Sequence, residues 1–121
     1  MLTKDMGAID WNRPAKELER LIRGLNPWPS AFTHLNGKML KIWDADVYTK
    51  EQAEAEFPEY STDFKGAEPG QIVAVLPHTF FIGCGKDLLK VNEVQAEGKK
   101  RMTSDAFLRG SRLEKGMELG K

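Results

Sequence analysis

Between residues 31 and 95, turn-forming residues cut the chain into strand-length runs, and this restricts it to a small antiparallel β architecture. Asn36-Gly37 is the sharpest break, because both residues tolerate the positive φ that a two-residue hairpin turn demands. It separates a strand over residues 31–35 from a return strand over residues 38–48. In the return strand Met39, Lys41, Trp43 and Ala45 share one face, and Leu40, Ile42, Asp44 and Asp46 share the other. Pro69-Gly70 opens a second group of strands over 71–76, 79–84 and 88–95, parted by Pro77-His78 and Gly85-Lys86-Asp87. In the last run Leu89 and Val91 alternate, then Val94 falls out of phase, which predicts a bulge or bend of the kind a small closing barrel requires.

A helix precedes the strands over about residues 14–25. Leu18, Leu21, Ile22 and Leu25 recur at helical spacing and make one apolar stripe. Asn12 is the expected cap, Pro14 suits the first turn, and Gly24 followed by Asn26-Pro27 ends the helix. Arg13, Lys16, Arg20 and Arg23 fall away from the stripe, either as a solvated face or as a rim of phosphate-binding charge. In Asn26-Pro27-Trp28-Pro29 the prolines leave the indole few conformations, so Trp28 is expected to plug the barrel or pin the helix to it; base stacking is its other use. Residues 50–68 read as a polar surface insertion with a helical turn near 51–55. Thr103 caps a short helix over 104–109, with Asp105 in its first turn and Gly110 at its end. Five strands, one N-terminal helix and one short late helix make a mainly β chain, a small OB-like barrel. Its 121 residues suffice for one domain with its own core.

Lys plus Arg and Asp plus Glu number 18 each, so net charge alone argues against a polyanionic partner. The distribution argues otherwise. Residues 1–43 carry seven cations and four acids, residues 44–68 two and eight, residues 69–85 none, and residues 86–115 eight and five. One stretch therefore holds a net −6 and the rest of the chain +6. Folded to one side, that stretch leaves a basic face on the other; scattered, solvated charge is the alternative. The longest apolar runs, near 72–76 and 80–82, are too short to span a membrane. Met1-Leu2-Thr3-Lys4-Asp5 lacks the apolar core of a signal peptide. The single cysteine cannot form an internal disulfide, so a cytoplasmic location is the expectation.

The segment Gln95-Ala96-Glu97-Gly98-Lys99-Lys100-Arg101-Met102 is the most informative. It leaves the last strand, turns at a glycine, presents three consecutive cations and enters the capped helix. Glycine beside clustered cations lets backbone and charge approach a phosphate chain together. It follows, in order, Ile9-Asp10-Trp11, Glu17-Leu18-Glu19-Arg20-Leu21-Ile22-Arg23, Asn26-Pro27-Trp28-Pro29, Lys41-Ile42-Trp43 and Pro69-Gly70-Gln71-Ile72. The ordered series resembles the C-terminal domain of the methionyl-tRNA formyltransferase family over about residues 3–120.

The resemblance implies an OB-like barrel that is linked to a Rossmann-type catalytic domain. Such a barrel helps hold initiator methionyl-tRNA for N-formylation from 10-formyltetrahydrofolate. It implies Lys99, Lys100 and Arg101 as the foremost RNA-facing residues, with Arg20, Arg23, Lys38 and Lys41 as a second tier. Residues 1–8 would be a remnant of the interdomain linker and residues 9–121 the barrel domain. The family's catalytic Asn, His and Asp belong to the other domain, as does the folate. No catalytic residue, metal or cofactor is therefore expected here, and the chain is not expected to be an enzyme on its own. A catalytic domain, in cis or in trans, and the tRNA are the expected partners. Related barrels of sugar formyltransferases and formyltetrahydrofolate dehydrogenase do not bind tRNA, so a structural or protein-interaction barrel is the alternative.

Other residues carry less. Cys84 follows apolar strand residues and is expected to be a buried, inert thiol. Asp44 and Asp46 read as a solvated strand end. Among possible base-stacking aromatics, Phe80 is expected in the core, and Phe81 and Tyr48 are left open.

Overall fold

A computed structural model of the chain describes residues 7–25 and 30–120; the expectation for Trp28, and residues 1–6 of the linker expected over residues 1–8, lie outside the described residues. In chain order the elements are α1 (Ala15–Gly24), β1 (Ala31–Leu35), β2 (Lys38–Tyr48), α2 (Lys50–Glu56), a 3₁₀ turn (Pro58–Tyr60), α3 (Ser61–Lys65), β3 (Ile72–Val75), β4 (Phe80–Gly83), β5 (Leu88–Ala96), β6 (Met102–Thr103) and α4 (Ser104–Gly110). The strands form one antiparallel sheet in the order β1-β2-β5-β4-β3, with β6 paired to β5.

The mainly β class holds, but the barrel is loose, because the sheet does not close on itself. β1 and β3 do not pair with each other. Residues 116–120 run between the two edges instead, through single bridges Leu35↔Leu119 and Gln71↔Glu118. The Leu119 N–H donates to the Gly70 carbonyl (2.7 Å), the Gly120 N–H to the His34 carbonyl (2.8 Å) and the Ile72 N–H to the Met117 carbonyl (2.8 Å). A strap of this kind satisfies edge groups that would otherwise invite another chain to pair.

α1 buries Ala15, Leu18 and Ile22 among Leu40, Ile42, Leu89 and Val91. The expected Asn12 cap is not formed. Pro14 holds the N-cap position, with extended backbone and no side-chain bond to the helix. Backbone does the work instead: the Ala15 N–H donates to the Lys86 carbonyl and the Gly85 N–H to the Arg13 carbonyl, each at 2.9 Å. A Cβ on Gly85 would collide with the Asn12 carbonyl, so only glycine permits this close approach. Buried Trp11 donates its indole N–H to Thr33 Oγ1 (3.0 Å). α4 starts as expected, with Thr103 Oγ1 accepting from the Ala106 N–H (3.2 Å).

The expected faces of β2 hold only to residue 42. Register shifts on either side of Asp44 give β2 one extra residue at Trp43 and β5 one extra at Asn92. After the first shift, Ala45 joins Leu40 and Ile42 inside, and Asp44 and Asp46 lie exposed. The second shift is the phase change anticipated between Val91 and Val94, which both point into the core. Beside it, the Val91 carbonyl accepts from two buried hydroxyls, Thr79 Oγ1 (2.9 Å) and Ser104 Oγ.

Residues 50–68 are not a surface insertion but a second layer. α2 has a full capping box, Thr49 Oγ1 with the Gln52 N–H (3.0 Å) and Gln52 Oε1 with the Thr49 N–H (2.9 Å). Ala53 and Phe64 close a separate core with Val73, Ala74, Leu76, Phe81 and Leu88. Phe81 is its hub, with Phe64, Tyr48 and Phe57 rings centred 5.0, 5.3 and 5.8 Å away. Phe80 points to the opposite face, into the main core. β4 is thus buried on both sides, and Phe80, Phe81 and Tyr48 are packing residues.

Phe64→Ala is expected to lower stability by about 3–5 kcal/mol, read from the urea midpoint. Gly85→Ala is expected to destabilise as well, since it forces the α1 entry away from the turn before β5. Unchanged midpoints would mean that neither residue supports the fold.

Candidate nucleic-acid interface

β2 and β5 run antiparallel, with Leu40 opposite Ala96 near one end and Tyr48 opposite Leu88 at the other. Eleven extended residues separate those ends by up to roughly 30 Å. The acidic α2–α3 layer begins directly after Tyr48. Its acids are partly engaged: Lys65 meets Glu54 (3.6 Å), Lys115 meets Asp63 (2.7 Å), and the Tyr48 hydroxyl donates to Glu56 (2.8 Å). Burial first, and then Glu56, push the Tyr48 phenol up to about 12.

At the other end, two turns and a returning segment meet. Asn36 and Gly37, at φ 54° and 79°, reverse β1 into β2 as their sequence demands. Gly98, at φ 75°, turns the chain out of β5. The Lys99 N–H donates to the Ala96 carbonyl (3.0 Å), and Gln95 Nε2 donates to the Lys99 carbonyl (2.9 Å). Glu97 ties the two turns together. Its N–H donates to the Met39 carbonyl (3.0 Å), and its carboxylate accepts from the Met39 N–H (3.1 Å).

Between these turns lies an open groove of about 430 Å³. Leu35, Met39, Leu40, Ala96 and Phe107 supply its apolar surface, and Lys38, Lys99 and Arg112 its cations. All three cations are exposed, and none forms an ion pair among the described residues. A smaller depression of about 200 Å³ shares Met39, Ala96 and Glu97 with the groove and adds Lys41 and Gln95.

The sequence candidates are thus divided. Lys38 and Lys99 share the groove, and Lys41 lines the adjoining depression. Lys100 is exposed on the same turn. Arg101 differs from its two neighbours: Nε and Nη2 both donate to the Glu93 carboxylate at 3.1 Å, and the guanidinium lies 4.7 Å from the Trp43 ring centroid. Trp43 is fixed in turn by its indole N–H, which donates to Gln95 Oε1 (3.1 Å). On α1, Arg23 is bound to Glu19 (2.9 Å), Arg20 is exposed, and neither lines the groove or the depression. Sequence reasoning did not single out Arg112, because nothing local indicates that the chain after α4 returns to the β1–β2 hairpin.

Elsewhere, Cys84 is buried as expected, and desolvation pushes its thiol up to about 12. His78 meets Asp105 (2.8 Å), and this hydrogen bond holds the Asp105 carboxyl below its ordinary range. Asp44 and Asp46, expected as a solvated strand end, are exposed, and both accept from Asn92 Nδ2 (2.8 and 3.0 Å). Among the described residues, no three His, Cys, Asp or Glu side chains converge as a metal site. None of the described helices is long and apolar enough to cross a membrane.

Residues 1–112 match the family described as "Formyl transferase, C-terminal domain". Methionyl-tRNA formyltransferase of Lachnospira eligens is 57% identical over 121 residues, all of this chain and 36% of that protein. The enzyme of the same name from Agathobacter rectalis is 47% identical over 116 residues, 96% of this chain and 33% of that one. The chain therefore spans about a third of the length of these relatives. Among solved structures, a variant of HypX from Aquifex aeolicus superposes with a TM-score of 0.64 at 14% identity, over 97% of this chain and 21% of that one. At such identity the likeness is one of fold.

With its thiol raised from 9.0 to about 12, Cys84 is expected to resist iodoacetamide at pH 8 until the chain unfolds. The unfolded thiol loses its proton first, so this group is expected to lower stability as pH rises from 9.0 towards about 12. Rapid alkylation of the folded chain, followed by mass spectrometry, would contradict the burial.

Proposed function

The chain belongs to the formyl transferase C-terminal domain family, and from that premise we propose that it is the tRNA-holding domain of a methionyl-tRNA formyltransferase. In this reading it positions initiator methionyl-tRNA for N-formylation by a catalytic domain, in cis or in trans. That domain binds 10-formyltetrahydrofolate, and this one binds no cofactor and performs no chemistry by itself. The high identity to relatives of that name supports the assignment.

The observation that carries the binding role is the convergence of Lys38, Lys99 and Arg112, in no ion pair among the described residues, at the end of the sheet away from the acidic layer. Cations in that arrangement suit a phosphate backbone, because each neutralised phosphate releases condensed counterions. Lys41 and Lys100 extend the same surface. Arg20 adds to the basic field from α1, whereas Arg23 is matched by Glu19, and neither is expected to bind RNA at the centre of the interface. Arg101 enters as a held group: Glu93 and Trp43 fix its guanidinium, so a phosphate reaching it has to share it with Glu93. Cations placed in this way hold and orient RNA without reading bases.

The test is a salt-titrated binding assay with tRNA. The chain alone is expected to bind at roughly 10⁻⁴–10⁻⁶ M, with affinity falling steeply as salt rises. The combined variant Lys38→Ala, Lys99→Ala, Arg112→Ala is expected to fold normally and bind more weakly. Its log–log salt slope is expected to flatten by about one unit for each phosphate that is no longer neutralised. Removing Lys99, Lys100 and Arg101 together is expected to weaken binding too, with some loss of stability through the Glu93–Arg101–Trp43 unit. Absence of binding at low salt would sink this role and leave the domain a structural or protein-interaction barrel.

A further inference from the structure

The groove at the β1–β2 hairpin is more than a patch of charge, because its floor is apolar. Leu35, Met39 and Ala96 are half-buried there, over the core residues Leu40 and Phe107. A surface meant only for phosphates has no use for such a floor, since a duplex backbone keeps its bases stacked away from the protein. The one carboxylate lining the groove, Glu97, is turned to the Met39 N–H (3.1 Å). The volume of about 430 Å³ falls within the span of about 300–1,000 Å³ usual for small-molecule sites.

Resting on the RNA-holding role, we infer that this groove takes one unstacked nucleotide of the bound RNA. The base lies on Met39, Ala96 and Leu35, and its flanking phosphates meet Lys38, Lys99 and Arg112. The match is one of chemistry: a planar ring with apolar faces, between two anions, meets an apolar strip between cations that form no ion pair among the described residues. Laying the flat face of a base on such a strip buries apolar surface on both while the polar edges stay in water, so the site prefers unpaired to paired RNA without selecting a sequence. The two turns are preorganised for it. Glu97 is bonded to Met39 through both its amide and its carboxylate, which holds the Gly98 turn against the hairpin before any ligand arrives.

The probes are a single-stranded uridine 12-mer, an abasic 12-mer with the same phosphates, and uridine monophosphate, each titrated into the full 121-residue chain at fixed salt. The uridine strand is expected to bind roughly tenfold tighter than the abasic strand, with the same salt slope. Ala96→Leu, which fills the floor and leaves every charge in place, is expected to remove that difference while the abasic strand binds as before. Met39→Ser, which strips the floor, is expected to reduce it and answers the question should Ala96→Leu fail to fold, as judged by circular dichroism. Equal binding of the two strands by the unaltered chain would overturn the nucleotide site and leave phosphate holding intact. Binding of uridine monophosphate as tight as that of the 12-mer would overturn its assignment to RNA. Failure of both strands to bind at low salt would overturn the RNA-holding role together with it.

Discussion

The β2–β5 ladder is the constraint on which the other parts of the molecule depend. β5 lies between β2 and β4 and also carries β6, and β2 carries β1 and receives α1. The two strands share a register from Leu40↔Ala96 to Tyr48↔Leu88, interrupted by an extra residue first on one strand and then on the other. The two insertions compensate, so the register lost at Trp43 is regained at Asn92. Without the compensation, the β5 side chains beyond the bulge would change faces, moving Leu88 from the second core to the first and Leu89 from the first to the second. The paired bulges also increase local twist, which bends the sheet far enough for a short strap to bridge its edges.

The same ladder separates charge. A chain with no net charge presents a basic surface only if its acids are placed elsewhere, and here strand length does the placing. The acids of α2 and α3 follow the Tyr48 end, where the aromatic cluster around Phe81 anchors their helices. The hairpin and the Gly98 turn occupy the opposite end. Acids more than a Debye length away are largely screened at physiological salt, and the nearer Asp63 is occupied by Lys115. Two of the cations that lie nearest the acids, Lys65 and Lys115, are spent on Glu54 and Asp63.

Much of this was legible in the sequence. The Asn36-Gly37 turn, the Leu18 and Ile22 stripe and the phase of Val94 each follow from local rules, and the structure keeps them. Where the reading failed, two of the failures had a trace. The apolar face assigned to Leu40 and Ile42 ended in Asp44 and Asp46, a mismatch that a bulge at Trp43 removes. Within the supposed insertion, Ala53, Phe57, Tyr60 and Phe64 recur at helical spacing, which marks a buried stripe beneath the acids. The many Glu residues hid it. Arg112 left no trace, because its place beside Lys38 and Lys99 comes from a segment that acquires its course only through tertiary packing. Arg101 shows the converse limit. Its neighbours in Lys99-Lys100-Arg101 suggest one shared task, yet β6 pairs with β5 so that Arg101 meets Glu93 and Trp43, and the run of three divides.

That division bears on how function sits upon this fold. The HypX likeness at 14% identity shows that the architecture tolerates almost complete replacement of its sequence. In this chain the fold rests on the ladder, the strap and the two cores, and not on the end of the sheet where the two turns meet. Lys38, Lys99 and Arg112 contribute nothing to either core, and no ion pair among the described residues requires them. Exposed cations brought together without partners repel one another, at a small cost in stability that the fold has no structural reason to accept. An anion at the groove reverses the sign of that interaction. Folding therefore does not by itself account for these three cations, and the RNA-holding role proposed for the groove would.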